Sequence, residues 1–255
     1  MNIIINTSNL YVGGGVQVAL SFINELNNIN AKNNYHIFIS KTIKDQIDQH
    51  IFSNKFKFYF IPKSPSHLVE RLKTVKFLSS LERKIIPDVV FTVFGPSYWK
   101  PKAPHIMGFA NGWLYNPMSI AYTKLTLFNR VRMRVFCWYQ EYYLKRDANF
   151  FIVETLDAKS KLSMVSSIDV NKIAVVGNTC SSIFDDRKYI DKDFEHYISL
   201  PKKENHEFRL LYIAHNHPGK NLRVINKVCE LLNDKNITFV VTIDNESYEN
   251  MFSNN

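Results

Sequence analysis

Seven short runs rich in β-branched and aromatic residues punctuate the first 176 positions, at 2–6, 35–40, 55–61, 88–94, 105–110, 149–154 and 172–176. Several are apolar almost throughout, as strands covered on both faces are, rather than alternating like strands with one wet face. Helical patterns fill the gaps. Val16, Ala19, Leu20, Ile23 and Leu26 share one face of a helix over 16–29. Leu68, Leu72, Val75, Leu78, Leu81 and Ile85 step by threes and fours, the spacing of one helix face. A long segment over 118–145 and a shorter one over 155–165 also read as helical. Strands that alternate with helices are joined by crossovers, which makes the sheet parallel and the fold class α/β.

The pattern changes after position 176. Residues 177–205 are polar, mixed in charge and carry Pro201, a linker with room for one short helix. A strand over 208–214, a helix over 219–232 and a strand over 237–243 follow. One βαβ unit of about 50 residues is short of the roughly 100–150 typical of a domain. The expected organisation is therefore a complete Rossmann-like domain over 1–176, a linker over 177–205, and over 206–255 the incomplete start of a second Rossmann-like domain.

Composition narrows the class. With 45% hydrophobic and 22% charged residues in a chain of 255, a packed core is within reach and whole-chain disorder is excluded. No run of 18 apolar residues predicts a membrane span. The opening MNIIINTSNL lacks the basic start of a secretory leader. Three widely spaced cysteines, Cys137, Cys180 and Cys229, form no CxxC pair and suit a reducing, cytoplasmic compartment. The net charge is +9, which favours anionic partners.

That charge is concentrated. Residues 97–146 hold eight basic residues and one acid, Glu141. Within them, Arg130, Arg132, Arg134, Lys145 and Arg146 are interleaved with Phe128, Trp138, Tyr142 and other apolar residues. A basic, aromatic-rich helix is the signature of one lying in a membrane interface. Arg130, Arg132, Arg134 and Trp138 are accordingly the candidate membrane-facing residues, and an anionic membrane surface is an expected partner. The segment 68–85, with Arg71, Lys73, Lys76, Arg83 and Lys84, offers a second such face. The alternative is that the aromatics pack under the sheet and the arginines face water. Nucleic acid is disfavoured as a partner, because charge is its sole support.

Three turns could hold chemistry. The first βα turn carries Gly13, Gly14 and Gly15 ahead of a helix. Such a turn lets backbone N–H groups approach an anion, though it suits a flexible turn equally. It is neither a P-loop, lacking the Lys-Ser/Thr pair, nor GxGxxG, since Val18 stands at the last glycine position. Phe94-Gly95-Pro96-Ser97 and Ala110-Asn111-Gly112-Trp113 also follow strands, at the edge where open α/β sheets bind ligands. In the second unit, Lys220 follows a strand and opens a helix, well placed to neutralise a diphosphate. His215 and His217 lack a third ligand, so no metal and no cofactor is expected.

In this order the segments resemble the retaining sugar-nucleotide glycosyltransferases of the GT-B fold, family four (group 1 type). The resemblance lies in the glycine turn with the helix after it, in Phe151-Ile152-Val153-Glu154-Thr155 with Lys161-Leu162, in 172–178 ending at Asn178 before Phe184, and in Leu210-Leu211-Tyr212-Ile213-Ala214 with Lys220-Asn221-Leu222. It covers most of the chain. It implies a GT-B-like fold and a nucleotide-diphosphate sugar as donor substrate, held at the diphosphate by Gly13, Gly14, Gly15, Lys220 and His215 from two sides of a cleft. Gly95, Asn111, Gly112 and Glu154 would line the acceptor side. The implied reaction is sugar transfer to a saccharide or lipid-linked acceptor in surface polysaccharide (lipopolysaccharide O-antigen or capsule) assembly, at the inner face of the cytoplasmic membrane. The chain departs from the family at three places. His215 stands where an Arg is common, Ala110-Asn111-Gly112 fills a loop that often carries a His, and the Glu-x7-Glu motif of the later donor domain is not reached. The resemblance therefore implies truncation within the donor domain, with low turnover by the isolated chain or a partner chain completing it. The competing expectation is a non-catalytic fragment that binds acceptor or membrane.

Overall fold

The computed structural model describes residues 1–29, 32–179, 202–203, 206–214, 216, 220–232 and 236–252. The chain divides into two compact units, Met1–Tyr189 and Ile190–Asn255.

The first unit is a seven-stranded parallel sheet. Its elements run β1 (Asn2–Thr7), α1 (Gly14–Asn28), β2 (Asn34–Ile39), α2 (Lys41–Lys44), β3 (Phe56–Phe60), α3 (Arg71–Ile85), β4 (Val89–Thr92), β5 (His105–Gly108), α4 (Gly112–Tyr115), α5 (Ile120–Thr123), α6 (Leu127–Asp147), β6 (Phe150–Val153), α7 (Leu156–Ser166) and β7 (Ile173–Val175). The strand order is β3-β2-β1-β4-β5-β6-β7, so the winding reverses between β1 and β4. Adjacent residues of β1 serve opposite faces, as the period of two requires. Ile5 packs with Val16, Ala19 and Ile23 of α1, while Ile4 packs with Phe38, Leu78 and Trp99 beneath α3. A third cluster gathers Met107, Phe151, Val153, Leu144 and Leu162 around β5, β6 and α7. Each fully buried Ile, Leu or Phe contributes about 1.5–3 kcal/mol.

All seven expected strands are present. The helices depart from expectation at three places. The segment read as one helix over 118–145 is two, α5 and α6, because Thr126 caps a fresh helix by accepting from the Asn129 N–H at 3.3 Å. Helix α3 begins at Arg71, leaving Leu68 outside it, and buries Thr74, Leu78, Glu82 and Ile85 rather than the full apolar stripe. Glu82 is buried because its Oε1 accepts from the Lys102 and Ala103 N–H groups at 2.6 and 3.0 Å, pinning the loop before β5. The short helices α2 and α4 have no counterpart in the sequence pattern; each is set by one cap, Ser40 and Asn111.

A polar chain crosses the sheet. Asn6 donates to Thr92 Oγ1 at 3.1 Å, and Thr92 Oγ1 lies 2.8 Å from His105 Nε2. His105 Nδ1 lies 2.6 Å from the Asp147 carbonyl, so Nδ1 carries the proton and Nε2 accepts from Thr92. Burial pushes the imidazole pKa down to about 4, against a smaller opposing pull from the Asp147 carbonyl. His105 is thus a neutral structural link between the sheet and the end of α6.

The second unit contains β8 (Phe208–Tyr212), α8 (Val224–Leu231), β9 (Ile237–Val241) and α9 (Asn245–Phe252). β8 and β9 pair in parallel, and Ala214, Leu222 and Ile225 form a small core with Phe239 and Val241. The helix expected over 219–232 is shorter and starts at Val224, after a turn in which Asn221 takes φ 47°. Helix α9 has no counterpart in the sequence pattern. Asp244 caps it, accepting from the Ser247 N–H and hydroxyl, both at 2.8 Å. The expected linker falls mostly on residues outside those described.

Candidate functional site

The carboxyl ends of β1 and β4 flank the point where the strand order reverses, the usual ligand crevice of an open α/β sheet. Gly13 ends the turn above β1 as the N-cap of α1, and Gly14 and Gly15 are the first two residues of that helix. Gly13 has φ 77°, a conformation that favours glycine. Among the described residues, a Cβ on Gly13 or Gly14 would meet no atom within 4 Å, so the backbone there is open to approach. Helix α1 starts there with no side-chain cap and no acid in its first turn. Its first N–H groups and positive dipole end therefore face that approach.

The β4 loop is tied to this turn. Asn9 Nδ2 donates to the Phe94 and Pro96 carbonyls at 2.6 and 3.0 Å, and Phe94 lies against Gly15. The two bonds fix the amide orientation and leave Asn9 Oδ1 buried with no protein partner among the described residues. Two residues on, burial raises the Tyr11 phenol pKa, and the hydroxyl likewise has no partner among them. Gly95 has a packing role: its N–H donates to the Gly108 carbonyl at 2.7 Å, and a Cβ there would collide with Met107 Sδ.

Asn111, Gly112 and Glu154 lie farther along the same edge, after β5 and β6. Asn111 is occupied internally: Oδ1 accepts from the Trp113 N–H at 3.0 Å and Nδ2 donates to Gln140 Oε1 of α6 at 2.5 Å. Gly112 opens α4, and a Cβ on it would meet nothing within 4 Å among the described residues. Glu154 Oε1 accepts from Asn178 Nδ2 at 2.6 Å. It also faces Tyr115 of α4, whose pKa is raised by burial first and by Glu154 and Asp157 after it. The structure thus brings Gly15 and Asn9 to the Gly95 loop, and sets Tyr115 of α4, the helix that Gly112 opens, near Glu154.

Lys220 belongs to the second unit. It is exposed and precedes α8 by four residues, where its carbonyl accepts from the Tyr212 hydroxyl at 3.0 Å. It is therefore in the turn and not in the helix it was expected to open. His215 lies outside the described residues.

The four candidate membrane-facing residues of α6 separate into two groups. Arg132, Arg134 and Trp138 are exposed. Arg130 turns back, donating through Nε to the Tyr122 carbonyl at 3.2 Å and through Nη2 to the Thr123 and Leu125 carbonyls at 3.3 and 3.4 Å. Arg71 is likewise drawn in. Its guanidinium lies over the rings of Tyr98, Tyr139 and Tyr143 at 4.9, 5.6 and 5.0 Å, and it donates to the Tyr143 hydroxyl and to the Pro65 and Ser66 carbonyls. Asn9, Gln140 and this tyrosine cage have no forewarning in the sequence. Tyr139 and Tyr143 stand four apart, the spacing of one helix face, with Gln140 directly after the first, but the partners from other elements have no local signature.

No protein-family model and no curated protein matches the sequence. Solved structures do match in fold. HepE of Anabaena, in complex with UDP and glucose, aligns with TM-score 0.51 at 10% identity, over 100% of this chain and 64% of that one. UDP-GlcNAc 2-epimerase of Neisseria meningitidis, bound to UDP-GlcNAc, gives 0.52 at 16% identity, over 99% and 70%. The lipopolysaccharide outer core galactosyltransferase WaaB gives 0.52 at 15% identity, over 100% and 65%. The chain thus spans about two thirds of the length of these proteins. Its parallel sheet, its strand order and these likenesses together give it an α/β fold of the GT-B-like, Rossmann type.

Proposed function

We propose that this chain acts in glycosyl transfer from a nucleotide-diphosphate sugar. The observation that carries the reading is the open, uncapped glycine turn at the β1/β4 reversal, in a fold shared with proteins crystallised with UDP, UDP-glucose and UDP-GlcNAc. The leaving diphosphate is what such a reaction must stabilise. N–H groups at the start of α1 are suited to that charge, preorganised donors acting where negative charge develops; in the second unit, taken by itself, the Lys220 ammonium has the sign for the same role. His215 would assist only in its charged form. The acceptor side falls to Gly112 and Glu154, with Asn111 and Gly95 shaping the loops around them. The acceptor we favour is a saccharide or lipid-linked sugar of surface polysaccharide assembly, reached at the inner face of the cytoplasmic membrane.

Titration calorimetry with UDP tests this reading. Lys220→Ala is expected to weaken binding by about 1–3 kcal/mol, the scale of a charge-assisted hydrogen bond. Equal affinities in parent and variant would remove Lys220 from the site. Incubation with UDP-glucose or UDP-GlcNAc separates two chemistries: released UDP with labelled acceptor supports transfer, whereas an epimerised UDP-sugar with no UDP released contradicts it.

A further inference from the structure

Helix α6 is 21 residues long, yet only Leu144 and Asp147 of it are buried. Phe128, Val131, Val135, Trp138 and Tyr142 are 76, 55, 59, 68 and 54% exposed. Their spacing is three, four, three, four, which puts them in one line along the helix. The opposite side packs inward, with Leu144 and Cys137 against the β5–β6 core. At about 100° per residue, Arg132 and Arg134 fall roughly 80° to either side of the apolar line, and both are exposed. Met118, Ile120 and Leu127, at 89, 74 and 75% exposure, extend the apolar surface past the start of α6. Because α6 leads back into β6, that start lies at the same sheet edge as Gly112 and Glu154.

We infer that this line is a docking face for an anionic lipid bilayer, held by Phe128, Val131, Val135 and Trp138 in the acyl boundary and by Arg132 and Arg134 at the phosphates. Charge decides the occupant. A second copy of the chain laid on the same line would set cationic flanks against cationic flanks, in a segment with eight basic residues and one acid. An acidic head-group layer satisfies both the apolar line and its flanks, since arginine stems lie along apolar surface while the guanidinium stays at the phosphates. The tyrosine at the far end of the line has a polar tip suited to the same boundary. Among the described residues no helix is long and apolar enough to cross a membrane, so α6 lies on the surface. The face deepens the reading above, because it would hold the acceptor-side loops at a lipid-linked acceptor. Lipid binding requires no turnover, so the two can fail separately.

Co-sedimentation of the full chain with phosphatidylglycerol/phosphatidylcholine vesicles tests the face. Binding is expected at about 0.1 M salt, with strong loss at about 0.5 M and none to phosphatidylcholine alone, as the shortened screening length requires. Arg132→Glu/Arg134→Glu and Phe128→Asp/Val135→Asp should each weaken it roughly tenfold or more. Both pairs change exposed positions, and unaltered circular dichroism and UDP affinity would show that the fold and the nucleotide reading are untouched. Equal sedimentation of parent and variants, or equal binding to neutral vesicles, would overturn the proposal. So would a dimer in sedimentation equilibrium that Phe128→Asp/Val135→Asp dissolves, which would assign the face to a second copy.

Discussion

Helices α1 and α6 carry the same three–four apolar spacing and end in opposite environments. In α1, Val16, Ala19, Leu20 and Ile23 are at most 8% exposed beneath the sheet. In α6, the corresponding line is more than half exposed at every position. Periodicity therefore tells which residues share a face and not what covers that face. The flanks are what differ. Residues 14–28 hold one charged residue, Glu25, whereas 127–147 hold five cations and two acids. A neutral flank lets a helix sink into a core, while arginines on both sides keep the flanks of the line in polar surroundings.

The largest test of this contrast is a pair of truncations. Ile23→Ala, at a fully buried site, should cost about 2–5 kcal/mol of stability. Val135→Ala should stay within about 0.5 kcal/mol. Urea denaturation of both variants checks it, and comparable losses would mean that α6 is covered in the folded chain as α1 is.

The next test concerns what fastens α6 to the sheet. The folded pKa of His105 is depressed to about 4 from an ordinary 6.5. The unfolded chain therefore binds the proton first, and stability is full above about pH 6.5 and declines as pH falls toward 4. The decline amounts to roughly 3 kcal/mol. Urea midpoints at about pH 7 and about pH 4.5 measure it, on either side of most of that window. His105→Gln should lower the stability at neutral pH while flattening this part of the pH dependence. An unchanged slope in the variant would remove His105 from the account.

A smaller effect is expected at the start of α6. Thr126→Ala removes the cap that separates α6 from α5 and should cost about 1 kcal/mol. Hydrogen exchange should quicken in the first turn of α6 while α1 keeps its protection. Uniform loss of protection in both helices would contradict a local cap.

How much was legible follows the range of each interaction. The seven strands are written locally, in β-branched and aromatic runs, and so is the glycine turn before α1. The break at Thr126 is also local, but one capping residue is easily lost in a long apolar, basic segment. Helices α2 and α4 hang on single residues, Ser40 and Asn111, in the same way. Contacts between elements left no such trace. Nothing next to Asn9 in sequence announces that its amide will clamp the β4 loop 85 residues later. Arg71 and Arg130 look like surface cations until the carbonyls and rings that surround them are known. Gly95 reads as a ligand turn, and the structure also gives it the closer task of letting the β4 and β5 ends approach.

Trp138 offers the most direct measurement of the claim that α6 faces a bilayer. It is 68% exposed, whereas Trp99 is fully buried, and a difference spectrum between the parent and Trp138→Phe isolates its fluorescence without touching the core. With phosphatidylglycerol vesicles carrying brominated acyl chains, the account predicts that this difference emission shifts to the blue and is quenched by the bromines. If it stays at the wavelength seen without vesicles and is quenched by aqueous iodide as strongly as before, α6 does not enter the membrane boundary and the account is contradicted.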